Sequence, residues 1–454
     1  MSLPPWSIAP FVALLACIAV LPLIRRTAAA WAKNRYKLAV ALVLGVPVGI
    51  WMWFGADPHL VTHALAEYGQ FIVLLGSLFT VSGGIFLAGD LRATPRNNTL
   101  MLALGALLAS FVGTTGAAML LARPILNTNS QRCHCTHTMV FTILIVANCG
   151  GLLTPLGDPP LYVGLMRGVP FAWTFSLFWP WVFINGLLLF TYYALDRLKY
   201  ALEPPEAIQA DDAEATPLSL RGGWNLLWLG AIIASVAFLG ETPWLKVGVQ
   251  VAAALLSLVL TPKSIRFQDN EFTWYPIIEV TVLFAGIFLT MIPALAILRA
   301  QAANLPLNEY TFFGLTGALS AVLDNTPTYL AFFDMAQELT LAGYPVVAGV
   351  PELYLTAIAL GSVTFGAITY IGNGPNFMVK AVAEDRGVTM PSFGGYVALT
   401  ANYLLPILVA LACLFISPNG AVQATGVLIT LAVAARPAYW LVKARRADRA
   451  TQPA

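Results

Sequence analysis

Charged residues are scarce in this sequence. Asp, Glu, Lys and Arg make up only 10% of its 454 residues, whereas about 25% is typical of soluble proteins. A soluble enzyme of this length would need far more charge to cover its surface, so the composition argues against a soluble fold. The net charge of +2 comes with no basic domain, and we therefore expect no nucleic-acid partner.

Cysteine is also rare, and catalytic motifs are missing. The five cysteines lie at positions 17, 133, 135, 149 and 413, mostly alone in apolar stretches, so no disulfide framework is predicted. One polar segment combines residue types that bind metals, at Cys133, His134, Cys135 and His137. Four ligands in five positions cannot easily surround one ion, which favours a polar loop over a metal site. Because no nucleophile–base pair or HExxH motif is present, we do not expect an enzyme.

Long apolar runs make up most of the chain. They lie near 6–24, 38–54, 69–89, 99–127, 138–166, 170–195, 223–239, 244–260, 275–298, 308–333, 352–383, 391–417 and 419–442. Runs of about 18 or more apolar residues predict membrane-spanning helices. The first run lacks the charged start of a signal peptide, so we expect it to be a retained span. The predicted fold is an all-α polytopic membrane protein with about twelve spans and two re-entrant hairpins.

The two hairpins are predicted from interruptions within apolar runs. The run 99–127 is interrupted at Gly113–Gly116, and the run 308–333 is interrupted at Asp324–Pro327. Glycine favours non-helical backbone, and proline removes a hydrogen-bond donor. Non-helical backbone at membrane depth is tolerated only where protein or a wet cavity covers it. We therefore interpret both runs as re-entrant helical hairpins, which enter and leave on one side.

The two halves of the chain resemble each other around these interruptions. The matching pairs are Ser110–Leu120 with Ser320–Leu330, and Gly151–Pro160 with Gly366–Pro375. Polar residues, glycine and proline stand at corresponding offsets in each pair, so we also predict broken helices near 138–166 and 352–383. Paired broken helices in two halves of a membrane protein indicate a secondary transporter and its binding site.

A shorter match supports the division into repeats. Gly84–Leu87 and Gly286–Leu289 share the sequence Gly-Ile-Phe-Leu, and each precedes a hairpin. We assign residues 1–200 to a first repeat, 223–454 to a second repeat and 201–222 to a cytosolic linker. Because the linker is acidic and interrupted by proline, we expect it to be a flexible connector.

The basic residues predict the orientation of the repeats. With the N-terminus outside and both hairpins non-crossing, 21 of the 24 Lys and Arg residues fall on the cytosolic side. Only Arg167, Lys246 and Arg299 fall outside. This distribution agrees with the positive-inside rule, by which cytosolic loops carry an excess of Lys and Arg. The second repeat then has the opposite orientation to the first, and the C-terminus is cytosolic.

Ionisable residues inside spans are costly and are therefore functional candidates. The deep ones are Asp158, Asp324 and Glu279. Around the broken helices the candidate binding residues are Asn148, Thr154, Gly157 and Asp158 in the first half, with Asn373 and Asn376 in the second. We expect Asp158 to face its counterpart Asn373 across a midplane cavity. The structural alternative is that Asp158 only caps the half-helix that follows it.

The hairpin tips supply further candidate ligands. At the second tip they are Asp324, Asn325 and Thr326, and at the first tip they are Thr114 and Thr115. Carboxylate, amide, hydroxyl and freed carbonyl oxygens suit a hard cation such as sodium. Two alternatives stay open: Asp324 caps the second arm of its hairpin, and the small residues of the first tip allow close helix packing.

Two segments carry a family resemblance. Asn148–Asp158 (NCGGLLTPLGD) resembles the GGxxTPxGD stretch of NhaD-type sodium/proton antiporters, and Leu319–Pro327 (LSAVLDNTP) resembles their second-hairpin stretch, LSAVxDNxP. The sequence is thereby similar to the ion transporter superfamily, which also includes arsenite permeases and citrate or dicarboxylate transporters. The resemblance implies a scaffold domain, a mobile transport domain and commonly a homodimer. It places Asp158 and Asp324 at the motif carboxylates.

Two functions are compatible with these patterns. The preferred one is sodium/proton antiport by alternating access, because a carboxylate held away from water can bind a proton or a sodium ion but not both favourably. Asp158 and Asp324 are then the candidate sodium ligands and exchange groups. The alternative is sodium- or proton-coupled transport of citrate, a dicarboxylate or another anion, with helix N-termini directed at the anion. Either protein is expected in the bilayer of a bacterial inner membrane, without a cofactor beyond the transported sodium ion and proton.

Overall fold

The computed structural model describes residues 3–22, 24–240 and 242–451. Seven of its helices are long and apolar enough to cross a membrane, and shorter apolar helices accompany them. Each predicted apolar run overlaps one of these helices or an interrupted pair of helices. The chain is therefore an all-α, multi-pass membrane protein.

Helices and two pairs of short strands follow one another along the described residues. The first group is α1 (Ala9–Val20), α2 (Arg25–Trp31), α3 (Asn34–Gly55), α4 (Pro58–Ser82), β1 (Phe86–Asp90), α5 (Pro95–Val112), α6 (Thr114–Thr128), α7 (Thr136–Ile145), α8 (Pro159–Met166), α9 (Phe178–Tyr200), α10 (Pro205–Glu214) and β2 (Thr216–Arg221). The second group is α11 (Asn225–Phe238), α12 (Pro243–Leu260), α13 (Tyr275–Gln301), α14 (Glu309–Ser320), α15 (Asn325–Gln337), β3 (Val346–Val347), β4 (Val350–Pro351), α16 (Glu352–Phe365), α17 (Gly374–Asp385), α18 (Phe393–Leu411) and α19 (Gly420–Thr451). Proline lies in the first turn of α4, α5, α12 and α13, where its missing N–H costs no hydrogen bond.

Contacts divide the chain into two units, and each unit draws on both halves of the sequence. Unit 1 comprises Met1–Gly84, Tyr162–Phe171 and Trp224–Ser362, and unit 2 comprises Ile85–Leu161, Ala172–Gly223 and Val363–Ala454. The units therefore do not coincide with the two predicted repeats. The inverted relation between the halves stays a prediction.

Small residues bring α3 and α13 into close contact in unit 1. A Cβ atom added at Gly45 would lie 3.1 Å from the Cα of Gly286, and one added at Gly286 would lie 2.9 Å from the Cα of Ala41. Beside them Phe71 of α4 stacks on Phe284 of α13, with ring centroids 4.9 Å apart. In lipid, where apolar side chains gain little from leaving the solvent, such close packing holds helices together.

Glu279 is paired within this same helix contact. Lys37 Nζ lies 2.5 Å from Glu279 Oε1, and the Lys37 side chain is only 3% exposed. Lys37 also donates to the Tyr275 hydroxyl at 3.3 Å. Glu279 was a candidate without a named partner in the sequence, and its pair with Lys37 joins the starts of α3 and α13.

The first predicted hairpin is interrupted at a single residue. Gly113 has a φ of +86°, a conformation that L side chains rarely adopt, and it separates α5 from α6. Thr114–Gly116 were expected in the interruption, but they form the first turn of α6. A one-residue glycine break is sufficient to end one helix and start another.

The second predicted hairpin is interrupted at residues 321–324. The Asp324 carboxylate accepts the Thr326 N–H at 3.1 Å, which makes Asp324 the N-cap of α15. Pro327 was expected in the interruption, but it lies in the first turn of α15, where proline is tolerated. The capping alternative for Asp324 is therefore confirmed.

Both predicted broken helices are also interrupted. α7 ends at Ile145 and α8 begins at Pro159, with one short 3₁₀ turn, Cys149–Leu152, between them. α16 ends at Phe365 and α17 begins at Gly374. The proline at the start of each second segment cannot donate a backbone hydrogen bond to the segment before it.

The expectation of a flexible connector is wrong. Residues 205–214 form α10, and β2 pairs in an antiparallel manner with β1, with Leu87 opposite Leu220. The buried Asp211 carboxylate accepts the Ala93 N–H at 2.9 and 3.1 Å. Partners distant in the sequence order this acidic segment, and its composition did not reveal them.

The Gly-Ile-Phe-Leu match is not a structural repeat. Gly84–Leu87 lies beyond the end of α4 and enters β1, whereas Gly286–Leu289 lies in the middle of α13. The two tetrapeptides adopt different backbone conformations, so this match does not support the division into repeats.

Candidate functional site

Asp158 lies in a polar centre inside unit 2. Its side chain is 1% exposed, and its Oδ1 accepts hydrogen bonds from the Thr114 hydroxyl at 3.0 Å and from Asn373 Nδ2 at 3.4 Å. Thr114 begins α6, and Asn373 directly precedes α17. The structure thus brings Asp158 and Asn373 into direct contact, where the sequence predicted that they face each other across a cavity, and it adds Thr114 from the first hairpin.

Three asparagine side chains extend this centre. Asn148 Nδ2 donates to Asn376 Oδ1 at 2.7 Å, and Asn373 Nδ2 donates to Asn148 Oδ1 at 3.2 Å. Asn376 Nδ2 donates to the main-chain oxygens of Gly366 and Thr369, both at 2.8 Å. The amides therefore bind carbonyl groups that the broken helices leave without intrahelical partners. Together with Asp158 and Thr114 they form what we call the Asp158 centre.

Thr154 and Gly157 hold the backbone of this centre in place. The Thr154 hydroxyl donates to the Ser110 carbonyl, and the Thr114 N–H donates to the Gly157 carbonyl at 2.8 Å. A Cβ atom on Gly157 would lie 2.1 Å from the carbonyl oxygen of Gly151, so only glycine fits there. Both residues position Asp158 through the backbone.

Thr115 is not part of the Asp158 centre. Its side chain is half-buried, and across the described part of the chain no hydrogen bond to its hydroxyl is found. Thr114 and Thr115 are adjacent on a helix, so their side chains point in directions about 100° apart. Only one of the two hydroxyls can face Asp158.

Asp324, Asn325 and Thr326 lie together in unit 1. Asp324 is half-buried, whereas Asn325 and Thr326 are 2% and 1% exposed. Asn325 Oδ1 accepts the Ser320 hydroxyl at 2.6 Å, and the same hydroxyl lies 2.5 Å from the Ser362 carbonyl. Oxygen atoms from both arms of the hairpin therefore meet beside the Asp324 cap.

Sequence reasoning missed a second set of charges in unit 1. Glu67 and Asp334 are 6% and 1% exposed. Arg167 Nε lies 3.0 Å from Glu67 Oε1, and Arg167 Nη1 and Arg299 Nη2 lie 3.3 and 2.7 Å from the same Asp334 oxygen. These four residues, the unit 1 charge network, connect α4, the end of α8, α13 and α15. The signal was present in the sequence, because each residue lies one or two positions beyond the end of a predicted apolar run.

Ion pairs and hydrogen bonds hold the Cys133–His137 segment in place. In the part of the chain that the structure describes, no group of three or more His, Cys, Asp or Glu side chains could hold a metal ion. Arg132 instead pairs with the buried Asp196 at 2.7 Å and with Glu203 at 3.4 Å, and His137 Nε2 lies 2.9 Å from Asp196. Cys133–Cys135 is thus an ordered connection between α6 and α7, and His137 in the first turn of α7 ties it to α9.

Glu203 stabilises this loop in a pH-dependent way. Its carboxylate accepts the N–H groups of Cys133 and His134 at 2.9 and 3.0 Å. Burial raises the pKa of Glu203, but these two N–H groups and the Arg132 guanidinium bring it below its usual value. The stabilisation is therefore complete above the unfolded-state pKa of about 4.3 and is lost as the pH falls through the lowered folded-state pKa.

We expect Glu203→Gln to lower the free energy of unfolding at pH 7 by about 1–3 kcal/mol, because charge-assisted hydrogen bonds become neutral ones. Chemical denaturation in detergent at pH 7 and at pH 4 measures the effect, which should shrink at the lower pH. Glu206→Gln, at an exposed position of α10, is the matched control and should change little. A Glu203→Gln variant with wild-type stability at pH 7 would contradict the assignment.

Comparisons with known proteins agree with the membrane architecture. A family model described as "Putative citrate transport" matches residues 1–416. Two proteins each named an uncharacterized transporter, from Mycobacterium bovis and Mycobacterium tuberculosis, are 24% identical to this chain over 327 residues. Each alignment covers 67% of this chain and 73% of the relative.

Proposed function

We propose that this chain, which belongs to the family described as putative citrate transport, is a cation-coupled secondary transporter of a small carboxylate such as citrate. The chain is a membrane transporter by its family and its multi-pass architecture. The observation that carries the coupling to a cation is the Asp158 centre, where a carboxylate 1% exposed lies between three helix interruptions. We also propose the relationship to NhaD-type antiporters, and sodium or a proton as the coupling ion.

The chemistry of the Asp158 centre supports a cation or a proton as its ligand. Thr114 and Asn373 are neutral donors to Asp158 Oδ1, so they orient the carboxylate and leave its charge in place. Carboxylate, amide and carbonyl oxygens are the ligands that a hard cation prefers. A charge buried this deeply is costly, and a bound sodium ion or proton removes that cost.

Coupling follows from this change of charge. With a cation or proton bound, the centre is neutral, and the element that carries it can cross the low-dielectric part of the membrane with its cargo. After release the centre is charged again, and its return is disfavoured. Loading on one side and release on the other therefore links the cation gradient to movement of the carboxylate. Asp324 with Asn325 and Thr326 is the second candidate cation position, because their oxygens also meet at a helix interruption.

Sodium/proton antiport is the second candidate function. The Asn148–Asp158 segment, which supplies the carboxylate and one amide of the centre, is the same segment that resembles the antiporter stretch. A single carboxylate that binds either a proton or a sodium ion suffices for this exchange. No carboxylate cargo is then required.

A reconstitution experiment distinguishes the two functions. The purified chain is placed in phosphatidylcholine vesicles that contain a pH-sensitive dye, and uptake of labelled citrate is measured with and without gradients of sodium or protons. Citrate uptake that needs one of these gradients supports the proposal. Sodium-driven proton movement in the absence of citrate supports antiport instead. Vesicles without protein are the control, and vesicles with protein that show neither flux would refute both functions.

We also propose a homodimer in the bacterial inner membrane with the N-terminus outside. The exposed Cys133 should then react with a membrane-impermeant maleimide in inside-out vesicles and be silent in intact cells. Comparison with the Cys133→Ser variant separates the labelling of Cys133 from that of the other cysteines. Labelling of Cys133 in intact cells would contradict the proposed orientation. The homodimer is tested separately, by chemical cross-linking of the protein in membranes.

A further inference from the structure

One face of α12 carries two polar side chains that have no partner among the described residues of unit 1. Lys246 and Gln250 lie one helical turn apart, so they share a face. They are 6% and 0% exposed, in a helix whose neighbouring residues Trp244 and Leu245 are 84% and 56% exposed. Within the described residues Lys246 forms no ion pair or hydrogen bond through its side chain, and both polar atoms of Gln250 are buried without a partner. Glu241, five positions before Lys246, lies outside the described residues.

A buried amide without a hydrogen-bond partner is expensive in this environment, and Lys246 beside it has no partner among the described residues. A buried polar group that lacks a hydrogen bond loses its hydration without compensation. Basic residues inside membrane segments normally pair with an acidic partner or mark the path of a substrate. The neighbouring helix α4 has one acidic residue, Glu67, and its carboxylate is paired with Arg167. Lys246 and Gln250 therefore have no partner among the described residues, which is the condition for a site that a ligand completes.

A second buried cation follows α12 in the sequence and contacts the far end of the same face. Arg266 is 1% exposed, and its guanidinium donates to the Thr80 carbonyl and to the carbonyl and hydroxyl oxygens of Ser257 in α12. These partners carry no formal charge. Burial lowers the pKa of Arg266 to about 10, which is the direction expected for a cation without a carboxylate beside it.

The formal charges on the described residues of this face are therefore positive. Lys246 and Arg266 supply two full charges at opposite ends of the face, and Ser257 lies two turns beyond Gln250. The N-terminus of α12 adds the positive end of its helix dipole close to Lys246, and Thr242 gives it no side-chain cap. Such a face attracts anions and repels cations, so it is distinct in chemistry from the Asp158 centre.

We propose that Lys246 and Gln250 bind a carboxylate group of the transported anion. The Lys246 ammonium donates to one carboxylate oxygen, and the Gln250 amide donates to the other. Arg266 contributes through its charge, since its own donors are directed at Thr80 and Ser257. The assignment rests on the proposed function for the identity of the cargo, but it concerns separate residues.

Binding and uptake of citrate test this site in the full-length chain, in nanodiscs and vesicles of phosphatidylcholine. Lys246→Met keeps the length of the side chain and removes its charge. We expect it to raise the citrate Kd and the citrate KM by roughly tenfold to a hundredfold, the range lost with a charge-assisted hydrogen bond. Lys246→Arg should stay within about threefold of the wild type, and Gln250→Leu should lie between the two variants. Lys380→Met removes a lysine that pairs with Glu384 on α17, and it should have no effect.

The outcomes separate this site from the proposed function. If the wild type transports citrate but Lys246→Met binds it with unchanged Kd, the site is refuted and the function stands. If the wild type neither binds nor transports citrate, succinate or acetate, both are refuted. Nanodiscs with added phosphatidylglycerol provide a further arm, because dependence on Lys246 that appears only with this lipid would assign Lys246 to a lipid headgroup and refute the carboxylate site. Thermal unfolding of each variant confirms that it is folded. If Lys246→Met does not fold, the citrate Kd of Lys246→Arg is compared with that of Gln250→Leu, and equal values would refute the site.

Discussion

Asp158→Asn is expected to abolish cation-coupled transport and to leave the protein folded. Asparagine has the shape of aspartate, and its Oδ1 can still accept the hydrogen bonds that Thr114 and Asn373 donate. It carries no charge and cannot bind a proton, so the centre loses the group that holds the coupling cation. We expect a fall in coupled flux of at least about 100-fold, which corresponds to about 2.7 kcal/mol.

Vesicle uptake and thermal unfolding together measure this prediction. Asp385→Asn, at an exposed position near the end of α17, is the matched control and should transport like the wild type. Thr114→Val removes one donor and keeps the carboxylate, so it should weaken cation dependence without abolishing it. A folded Asp158→Asn variant that transports at the wild-type rate and keeps its cation dependence would remove Asp158 from the mechanism.

Local sequence was sufficient to predict that both hairpin runs are interrupted, although it placed Thr114–Gly116 and Pro327 inside the interruptions. Gly113 and Asp324 act on their own backbone, one by adopting a positive φ and the other by capping the next helix. Such effects depend on residue type and on the nearest neighbours, so a single sequence contains them. The contact between Asp158 and Asn373 was predicted differently, from the matching positions of the two segments in the two halves.

Contacts between distant segments were not predictable in the same way. Asn148 and Asn376 share a hydrogen bond across 228 positions. Neither segment contains a local pattern that identifies the other as its partner. The order of the 205–214 connector depends on Ala93 and β1, which lie more than a hundred positions away. Composition describes such a segment as polar and acidic, but only tertiary contacts decide whether it is fixed.

The missed charges have a common cause. The predicted apolar runs ended one or two positions short of Glu67, Arg167, Arg299 and Asp334, so these residues were placed outside the spans. Lys246 was likewise assigned to an external end. Depth along the membrane and burial inside the protein are separate properties, and a charge near the end of a span can still be enclosed by neighbouring helices. Burial of these charges became visible only in the structure.

Asp334→Asn is expected to give the largest loss of stability among single substitutions in the unit 1 charge network. The Asp334 carboxylate is 1% exposed and lies near two guanidinium groups, those of Arg167 and Arg299. Its removal leaves two cations with only Glu67 to balance them. Breaking a buried ion pair by removing one partner typically costs about 3–5 kcal/mol. Since the Arg299 side chain is 36% exposed and can turn toward water, we expect the lower end of this range.

Denaturant unfolding in detergent measures this loss, and a second substitution tests its cause. Arg299→Met added to Asp334→Asn restores the balance between Glu67 and Arg167, so the double variant should recover much of the stability despite carrying one more change. Glu384→Gln breaks the exposed i,i+4 pair with Lys380 and should cost less than about 0.5 kcal/mol.

The double variant also decides what the network does. Arg167 directly follows α8, and Asp334 lies on α15, so the network anchors the two half-helices that begin after Asp158 and after Asp324. If charge balance alone matters, the double variant should regain both stability and transport. If the Arg167–Asp334 contact itself positions the half-helices, the double variant should regain stability while its transport stays low, because a neutral amide replaces the carboxylate that held Arg167. An Asp334→Asn variant as stable as the wild type would show that water already reaches these charges and that the network anchors neither half-helix.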